Sequence, residues 1–319
     1  MTSDRGAPLN LAERTAVLGL VGVALLSGAG YLAGLHRLLE LTSHFRPQYF
    51  AVACLLLLIF AWRRRPVWTV LAAVTAAANV VWLLPHALSE AAADAERTGP
   101  TLRLLLANVQ YSNFAHQAFS DLVIEHQPDV IVVEELTPAW KQGIGPLRER
   151  YPNGKLFARE GAFGIGVLSR LPLQSAEVVD LGDPDYPAIA ARVAVGGRPL
   201  LLLAAHPPPP TSDTLFAIRN RQLKELGRRA LELNAPTVVL GDLNISPWSP
   251  YFSALLHNAR LTSARDGFGI LPTWPSFFAP AMIPIDHCLV SRGARVLNVE
   301  TGPDIGSDHL PLVIDLRLN

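Results

Sequence analysis

The segment Thr237-Val238-Val239-Leu240-Gly241-Asp242-Leu243-Asn244 has the pattern of a buried strand that ends in an acid and an amide. Side chains alternate between the two faces of an extended chain, so Asp242 and Asn244 are expected on one face and Leu243 on the other. The end of a buried strand is where an open sheet presents polar groups to solvent. The segment therefore predicts a functional strand end, with a simple turn or helix cap as the alternative.

Composition divides the 319 residues into two parts. Residues 1–98 contain long apolar runs and form the predicted membrane anchor and linker, and residues 99–319 have the composition of a globular domain large enough for one core. Of the 27 basic and 27 acidic residues, residues 1–98 hold 8 and 6, so the globular part carries 19 and 21. A net charge near −2 disfavours a dedicated nucleic-acid binder, whose affinity comes mainly from phosphate contacts.

Three apolar runs predict membrane spans at about residues 15–35, 47–62 and 67–84. A signal peptide is the alternative for the first run, and a re-entrant or surface-lying pair is the alternative for the other two. Arg63-Arg64-Arg65 separates the second and third runs, and the positive-inside rule places that loop in the cytoplasm. We therefore expect a multi-pass protein of the cell membrane, with everything after Pro85 outside the cytoplasm. Residues 89–100 are expected to be a linker.

Strand-like and helix-like segments alternate in the globular part. Helices are expected at residues 116–126, 213–233 and 250–256 from their apolar spacing. Several apolar runs between them end in residue types used in catalysis. These are Asn108, Glu135, His206, the pair Asp242 and Asn244, Asp286-His287, and Ser307-Asp308-His309. Six such ends are difficult to explain as surface decoration.

These six motifs, in this order, resemble the endonuclease/exonuclease/phosphatase superfamily, which has the fold of DNase I. The resemblance covers residues 100–319 and implies an α/β (α+β) fold. Its architecture would be a four-layered α/β sandwich of two packed mixed sheets with outer helices. The apolar runs, the prolines after His206 and Pro272-Thr273-Trp274-Pro275 resemble the bacterial membrane-anchored branch of the family. Gln110 and Tyr111 after the first Asn, and His287 where an aromatic residue is common, depart from the family pattern.

The resemblance implies roles for the strand-end residues. Glu135 would be the principal metal ligand, with Asn108, and Asp308 would complete the metal or histidine shell. Sparse oxygen ligation of this kind suits Mg²⁺, with Mn²⁺ as a possible substitute. Asp242 and Asn244 would orient the attacking water and bind the phosphate. An N-terminal helix cap is the alternative for Glu135.

The histidines of the globular part are expected to have different roles. His309, held by Asp286, would be a base or a cationic stabiliser. His206 resembles the histidine that protonates the leaving group in the DNase I branch, and Glu160 lies where that branch has a carboxylate supporting it; an ordinary core histidine is the alternative for His206. His287 is expected to be structural.

Two further groups of residues are less decisive. Trp248 and Trp274 are possible substrate contacts, with core packing as the alternative. The arginines of the helix at 213–233 are expected to form a solvated face, with phosphate contact as the alternative; they are Arg219, Arg221, Arg228 and Arg229.

We therefore expect a membrane-anchored, Mg²⁺-dependent phosphoesterase that hydrolyses a phosphodiester by direct attack of water, with a phosphomonoester as the less favoured alternative. Its partners would be the lipid bilayer and a phosphate-ester substrate: a lipid headgroup, a small molecule or, less favoured by charge, a nucleic acid. No obligate protein partner is evident. The alternatives are an extracytoplasmic nuclease acting on DNA or RNA, and a non-catalytic receptor or scaffold that retains the fold.

Overall fold

The structure is a computed structural model that describes residues 8–88, 99–232 and 235–318. The chain divides into two compact units. One contains the N-terminal helices up to Pro85 together with Trp248–Pro250, and the other contains His86–Pro247 and Tyr251–Asn319. Most of the expected linker at residues 89–100 lies outside the described residues.

The N-terminal unit is helical. Its helices are α1 Leu11–Tyr31, α2 Arg37–Ser43, α3 Arg46–Trp62 and α4 Pro66–Leu88. Helix α1 begins with a capping box, in which Asn10 and Glu13 each bond the other's backbone N–H. The carboxylate of Glu13 also pairs with Arg63 and Arg65, at 3.2 and 2.9 Å. These ion pairs hold the start of α1 beside the loop between α3 and α4.

The helices differ in their ability to cross a bilayer. In the described part of the chain, two helices, α1 and α4, are each long and apolar enough to span one. Helices α2 and α3 pass the same test only as a pair, bent by 61° at the short break between them. The structure thus contains two candidate spans, or three if the bent pair is one span. The expected second span at residues 47–62 coincides with α3.

Within the residues that the structure describes, the second unit contains twelve strands. In chain order they are β1 Thr101–Asn108, β2 Val130–Glu134, β3 Asn153–Phe157, β4 Ile165–Ser169, β5 Leu173–Val179, β6 Ala188–Val195, β7 Arg198–Ala205, β8 Thr237–Asp242, β9 Leu261–Ser263, β10 Asp286–Ser291, β11 Ala294–Thr301 and β12 Leu312–Leu318. Its helices are α5 His116–His126, α6 Pro138–Gly143, α7 Asp213–Glu232 and α8 Pro250–Ala259, with short 3₁₀ turns at Gly145–Glu149 and Ala279–Ala281.

The strands form two six-stranded mixed sheets. Their orders are β11-β12-β1-β2-β4-β3 and β5-β6-β7-β8-β10-β9. Aliphatic side chains from both sheets fill the space between them, and two further apolar cores cover the outer faces. Helices α5 and α6 pack on the first sheet, and α7 and α8 pack on the second. This confirms the predicted four-layered sandwich.

The sheet topology explains where the polar strand ends meet. Each sheet has one parallel pair at its centre, β1 with β2 and β7 with β8. The carboxyl ends of these four strands carry Asn108, Glu134, His206 and Asp242. The antiparallel strand β10 begins at Asp286, which lies opposite Asp242 in register. One edge of the sandwich therefore collects side chains from both sheets.

Candidate active site

Asp242, at the end of β8, lies at the centre of the polar cluster. Its side chain is buried, and Oδ2 faces four nitrogen atoms from four different chain segments. These are Asn108 Nδ2 at 3.4 Å, His206 Nε2 at 3.4 Å, Asn244 Nδ2 at 3.5 Å and His309 Nε2 at 3.7 Å. A buried carboxylate requires positive or donor neighbours of this kind, because desolvation penalises an uncompensated charge.

Asn244 reaches Asp242 through a turn rather than along a strand. The strand ends at Asp242, and Asn244 has a left-handed φ of 50°. Its backbone N–H donates to Asp242 Oδ1 at 2.9 Å, and its side chain donates to the Pro207 carbonyl at 3.0 Å. Asn244 Nδ2 lies 3.5 Å from Asp242 Oδ2 and Leu243 is buried, as expected, but an Asx turn rather than strand alternation brings the two polar side chains together.

His309 and Asp286 form a buried pair. His309 Nδ1 lies 2.9 Å from Asp286 Oδ2, and both residues are at most 5% exposed. Burial lowers the pKa of His309, but the charges of Asp286 and Asp242 raise it more, to about 10. Burial conversely raises the pKa of Asp286, and the contact with His309 lowers it below its ordinary value. The pair is therefore an imidazolium–carboxylate ion pair at neutral pH.

His206 is a second buried cation beside Asp242. Burial lowers its pKa, whereas the hydrogen bond and the charge of Asp242 raise it to about 9. The ring of Phe163 packs on the imidazole, with 5.7 Å between centroids. Its Nδ1 atom has no hydrogen-bond partner among the described residues. Glu160, expected to support His206, lies on the exposed loop between β3 and β4, and no contact between the two appears within the described chain.

Glu135 and Asn108 lie together on the other sheet. Asn108 Nδ2 is 3.2 Å from Glu135 Oε1, and the Tyr111 N–H donates to Glu135 Oε2 at 2.8 Å. Glu135 follows β2 with a left-handed φ of 59°, which turns its side chain out of the strand direction. Ser307 joins this pair to His309, because its hydroxyl donates to the Asn108 carbonyl and accepts from the His309 N–H.

Two arrangements of oxygen and nitrogen ligands could hold a divalent cation. Asp242, Asp286 and His309 each offer one atom within 4.8 Å of the others, and a cation bound there would displace the proton of His309. The second arrangement is the Glu135 carboxylate with the Asn108 side chain, whose oxygen accepts the Gln110 N–H at 3.1 Å. Hard carboxylate and amide oxygens suit Mg²⁺ or Mn²⁺, so the residues present fit such an ion. Asp308, the third expected ligand, accepts a bond from Trp274 Nε1 on its Oδ2 at 3.1 Å.

The two tryptophans differ in position. Trp274 is half-buried beside Asp308, and its ring lies 6.5 Å from that of His309. Trp248 is only 1% exposed. The expectation of a solvated arginine face on α7 was also wrong for one residue. Arg219 is fully buried, with its guanidinium 5.1 Å from the ring of Phe216.

Several site residues escaped the sequence patterns. Glu134 is fully buried, and its Oε2 accepts the backbone N–H of Asp242 at 2.8 Å. Arg265 is buried beneath Asp286 and contacts His287. Both belong to apolar or loop segments whose periodicity gives no sign of a buried charge, so only the fold brings them to the site.

Comparison with known proteins agrees with this architecture. Residues 105–309 match the endonuclease/exonuclease/phosphatase family, and the chain belongs to that family. Members of the family are phosphoric-ester hydrolases that generally use divalent metal ions, and this chain is a hydrolase of that class. No curated protein sequence matches the chain.

Solved structures share the fold at low sequence identity. A humanized TDP2 of D. rerio is 17% identical with a TM-score of 0.58, covering 68% of this chain and 99% of its own. The human Nocturnin catalytic domain with bound sulfate is 19% identical with a TM-score of 0.57, covering 69% and 94%. Sphingomyelinase C of Streptomyces griseocarneus is 18% identical with a TM-score of 0.52, covering 69% and 100%. At these identities the likeness concerns the fold.

Proposed function

We propose that the protein is a membrane-anchored, Mg²⁺-dependent phosphodiesterase whose catalytic unit lies outside the cytoplasm. The observation that carries this proposal is the Asp242 carboxylate, buried between two histidines of raised pKa at the meeting of both sheets. In that arrangement the Asp242 carboxylate can accept a proton, and the two protonated imidazoles beside it, those of His206 and His309, each carry one. Hydrolysis of a phosphodiester requires those groups.

The chain's own residues divide the reaction between them. Asp242 and Asn244 orient the attacking water, and Asp242 accepts its proton as the water oxygen bonds to phosphorus. His206, protonated near neutral pH, donates a proton to the departing oxygen as the bond from phosphorus to that oxygen breaks. The His309 imidazolium, fixed by Asp286, stabilises the negative charge that develops on the phosphoryl oxygens.

Glu135 and Asn108 would hold the metal ion, with Asp308 nearby. Bound Mg²⁺ neutralises phosphate charge and lowers the pKa of water. Mn²⁺ would be accepted in its place, because it prefers the same oxygen ligands.

The favoured substrate is the phosphodiester of a lipid headgroup. Large aromatic side chains are exposed on two loops that flank the site, Phe114 at 72%, Phe277 at 79% and Phe278 at 54%. Their loops join the site through bonds of Asn113 to Ile305 and of Ser276 to Ser307. An apolar rim suits a lipid better than a polyanionic backbone, and the near-neutral charge of residues 99–319 agrees. Helices α1 and α4 would anchor the chain in a bilayer.

A substrate panel tests this proposal. The detergent-solubilised full chain is assayed on bis-p-nitrophenyl phosphate, p-nitrophenyl phosphate, phospholipid vesicles, plasmid DNA and RNA, each with Mg²⁺, Mn²⁺ or EDTA. We expect diester and phospholipid hydrolysis that requires the metal and is lost in Asp242→Asn. Efficient cleavage of DNA or RNA with no lipid hydrolysis would establish the nuclease alternative. Hydrolysis of none of the five, with no thermal shift on adding Mg²⁺, would favour a non-catalytic scaffold.

A further inference from the structure

The backbone at the catalytic strand ends is bonded by buried side chains that the proposed reaction does not use. Four backbone groups are involved, and each makes one such bond. The Asp242 N–H donates to Glu134 at 2.8 Å. Three carbonyls accept: that of Asn244 from Arg219 at 3.0 Å, that of Ile245 from His287 at 2.7 Å and that of Asp286 from Arg265 at 2.6 Å. All four side chains belong to residues at most 2% exposed.

The hydrogen bond between His287 and the Ile245 carbonyl can run in only one direction, with His287 as the donor. A guanidinium donates and never accepts, so the contact of Arg265 Nη1 with His287 Nδ1, at 3.2 Å, makes Nδ1 an acceptor. The proton of the neutral ring must then be on Nε2, which donates to the Ile245 carbonyl. His287 therefore links Arg265 to the loop that carries Asn244, in a single tautomer.

Arg265 contributes to two catalytic segments at once. Besides His287 and the Asp286 carbonyl, its guanidinium bonds the carbonyls of Ile270 and Leu271. It therefore fixes a loop, the start of β10 and, through the imidazole, the end of the β8 turn. The ring of His287 also packs on Phe252, with centroids 4.5 Å apart, which restricts its rotation.

Arg219 and Glu134 act on the same segment from two other directions. Arg219 comes from α7 and holds the carbonyl of Asn244, a residue with left-handed φ. Glu134 comes from the opposite sheet and bonds the Asp242 N–H across the space between the sheets. Its second oxygen, Oε1, has no partner in the described part of the chain.

Stability alone is a poor reason for these residues. Buried ionisable groups are costly to desolvate, and well-packed apolar replacements of an ion network are often neutral or stabilising. A rigid backbone, in contrast, matters greatly where a small misplacement of a reacting group slows the reaction. We infer that Glu134, Arg219, Arg265 and His287 are positioning residues that fix the backbone of Asp242–Ile245 and Asp286 in the reactive geometry.

This inference rests on the proposed function for its kinetic readout, and hydrogen exchange tests it independently. Two variants of the full chain are tested in detergent. One is His287→Phe, which keeps an aromatic ring packed on Phe252, and the other is Arg219→Met. Arg219→Lys retains a donor and serves as the conservative variant. The matched controls are His257→Phe, an exposed histidine of α8, and Arg228→Met, an exposed arginine of α7.

We expect His287→Phe and Arg219→Met to lower kcat on bis-p-nitrophenyl phosphate by about 10–100-fold, the range typical of residues that orient catalytic groups. KM should stay within about threefold, because the phosphate-facing side chains remain. Amide exchange in residues 241–246 should accelerate about tenfold, while β1 and β2 stay protected. Arg219→Lys should recover much of the kcat, and both controls should match the wild type.

Three results would overturn the inference. The first is an unchanged exchange rate of residues 241–246 in both variants. The second is a lowered thermal midpoint with kcat per folded molecule equal to that of the wild type, which a purely structural role predicts. The third is equal loss in Arg219→Lys and Arg219→Met. If no variant, nor the wild type, hydrolyses any diester while exchange still accelerates locally, the proposed function fails and the positioning role of these residues stands.

Discussion

His309 Nε2 lies 3.7 Å from Asp242 Oδ2 while its Nδ1 lies 2.9 Å from Asp286 Oδ2, so one imidazole bridges two buried carboxylates on neighbouring strands. Because of this bridge, the protonation of His309 affects the free energy of unfolding. The raised pKa of His309, about 10, lies above the ordinary value of 6.5. Its contribution to stability is therefore complete below about pH 6.5 and is lost as the pH rises through about 10.

The replacement Asp286→Asn tests that linkage in EDTA. It should lower stability by about 1–3 kcal/mol near pH 6, the cost of removing a buried partner, and the gap to the wild type should shrink toward pH 10. Thermal midpoints across this pH range measure the gap. Asp185→Asn, at a carboxylate with 81% side-chain exposure, is the control and should show no such trend. A gap that is constant or widens with pH would contradict the ion pair.

His206 should behave as a general acid. Because its pKa is raised to about 9, kcat should fall as the pH rises through that value. His206→Ala should remove this basic limb and lower kcat about 10²–10⁴-fold, the usual range for a proton-transfer group. Glu160→Gln, at an exposed position, is expected to retain wild-type rates. Steady-state rates on bis-p-nitrophenyl phosphate between pH 6 and 10 test this prediction. An unaltered pH dependence of kcat in His206→Ala would exclude His206 as the general acid.

Metal affinity should depend on Glu135. Removing a carboxylate ligand weakens Mg²⁺ binding, so Glu135→Gln should raise the Mg²⁺ concentration for half-maximal activity at least about tenfold. Titration of activity with Mg²⁺ measures it, and Glu300→Gln, an exposed acid on β11, is the matched control. If Asp286→Asn alone raised that concentration while Glu135→Gln did not, the ion would belong with Asp242, Asp286 and His309 instead.

Gly241 should tolerate no side chain. A Cβ placed there would lie 2.0 Å from the Ala205 carbonyl oxygen and 2.6 Å from Glu134 Oε1, closer than real contacts allow. Gly241→Ala should destabilise the catalytic unit by about 1–3 kcal/mol, the range for overpacking a close-packed site. Gly145→Ala, with nothing within 4 Å, is the comparison and should leave the thermal midpoint unchanged. Equal midpoints for both variants would refute this steric argument.

The orientation of the chain is predicted by its basic loop. Arg63, Arg64 and Arg65 between α3 and α4 should face the cytoplasm, which places the carboxyl terminus outside. A periplasmic phosphatase reporter fused after Asn319 should therefore be active, and a fluorescent protein that matures only in the cytoplasm should stay dark. The reverse pair of signals would invert the topology. Moving the three arginines to the α1–α2 loop is the control that should itself invert it.

Strong periodicity allowed much of the fold to be predicted. Helix α5 and the strands that end in polar residues were found because aliphatic runs bounded by turn residues report burial directly. The edge strands β3, β5 and β11 were missed because half-buried edge positions alternate weakly and mix polar with apolar residues. The bend between α2 and α3 is another feature that the sequence does not mark. No local pattern indicates it as clearly as apolar content indicates the helices themselves.

The sequence by itself determined the order of the strands that end in catalytic residue types, the helices that are long and apolar enough to span a bilayer, and the family, because hydrophobic periodicity and local motifs survive in one dimension. Only the tertiary structure decided that Asp242 sits between His206 and His309, and that Glu134, Arg219, Arg265 and His287 bond the backbone around it. These contacts join residues as much as 108 positions apart, as from Glu134 to Asp242. No local pattern encodes them, because they arise where two sheets pack and desolvate the charges between them.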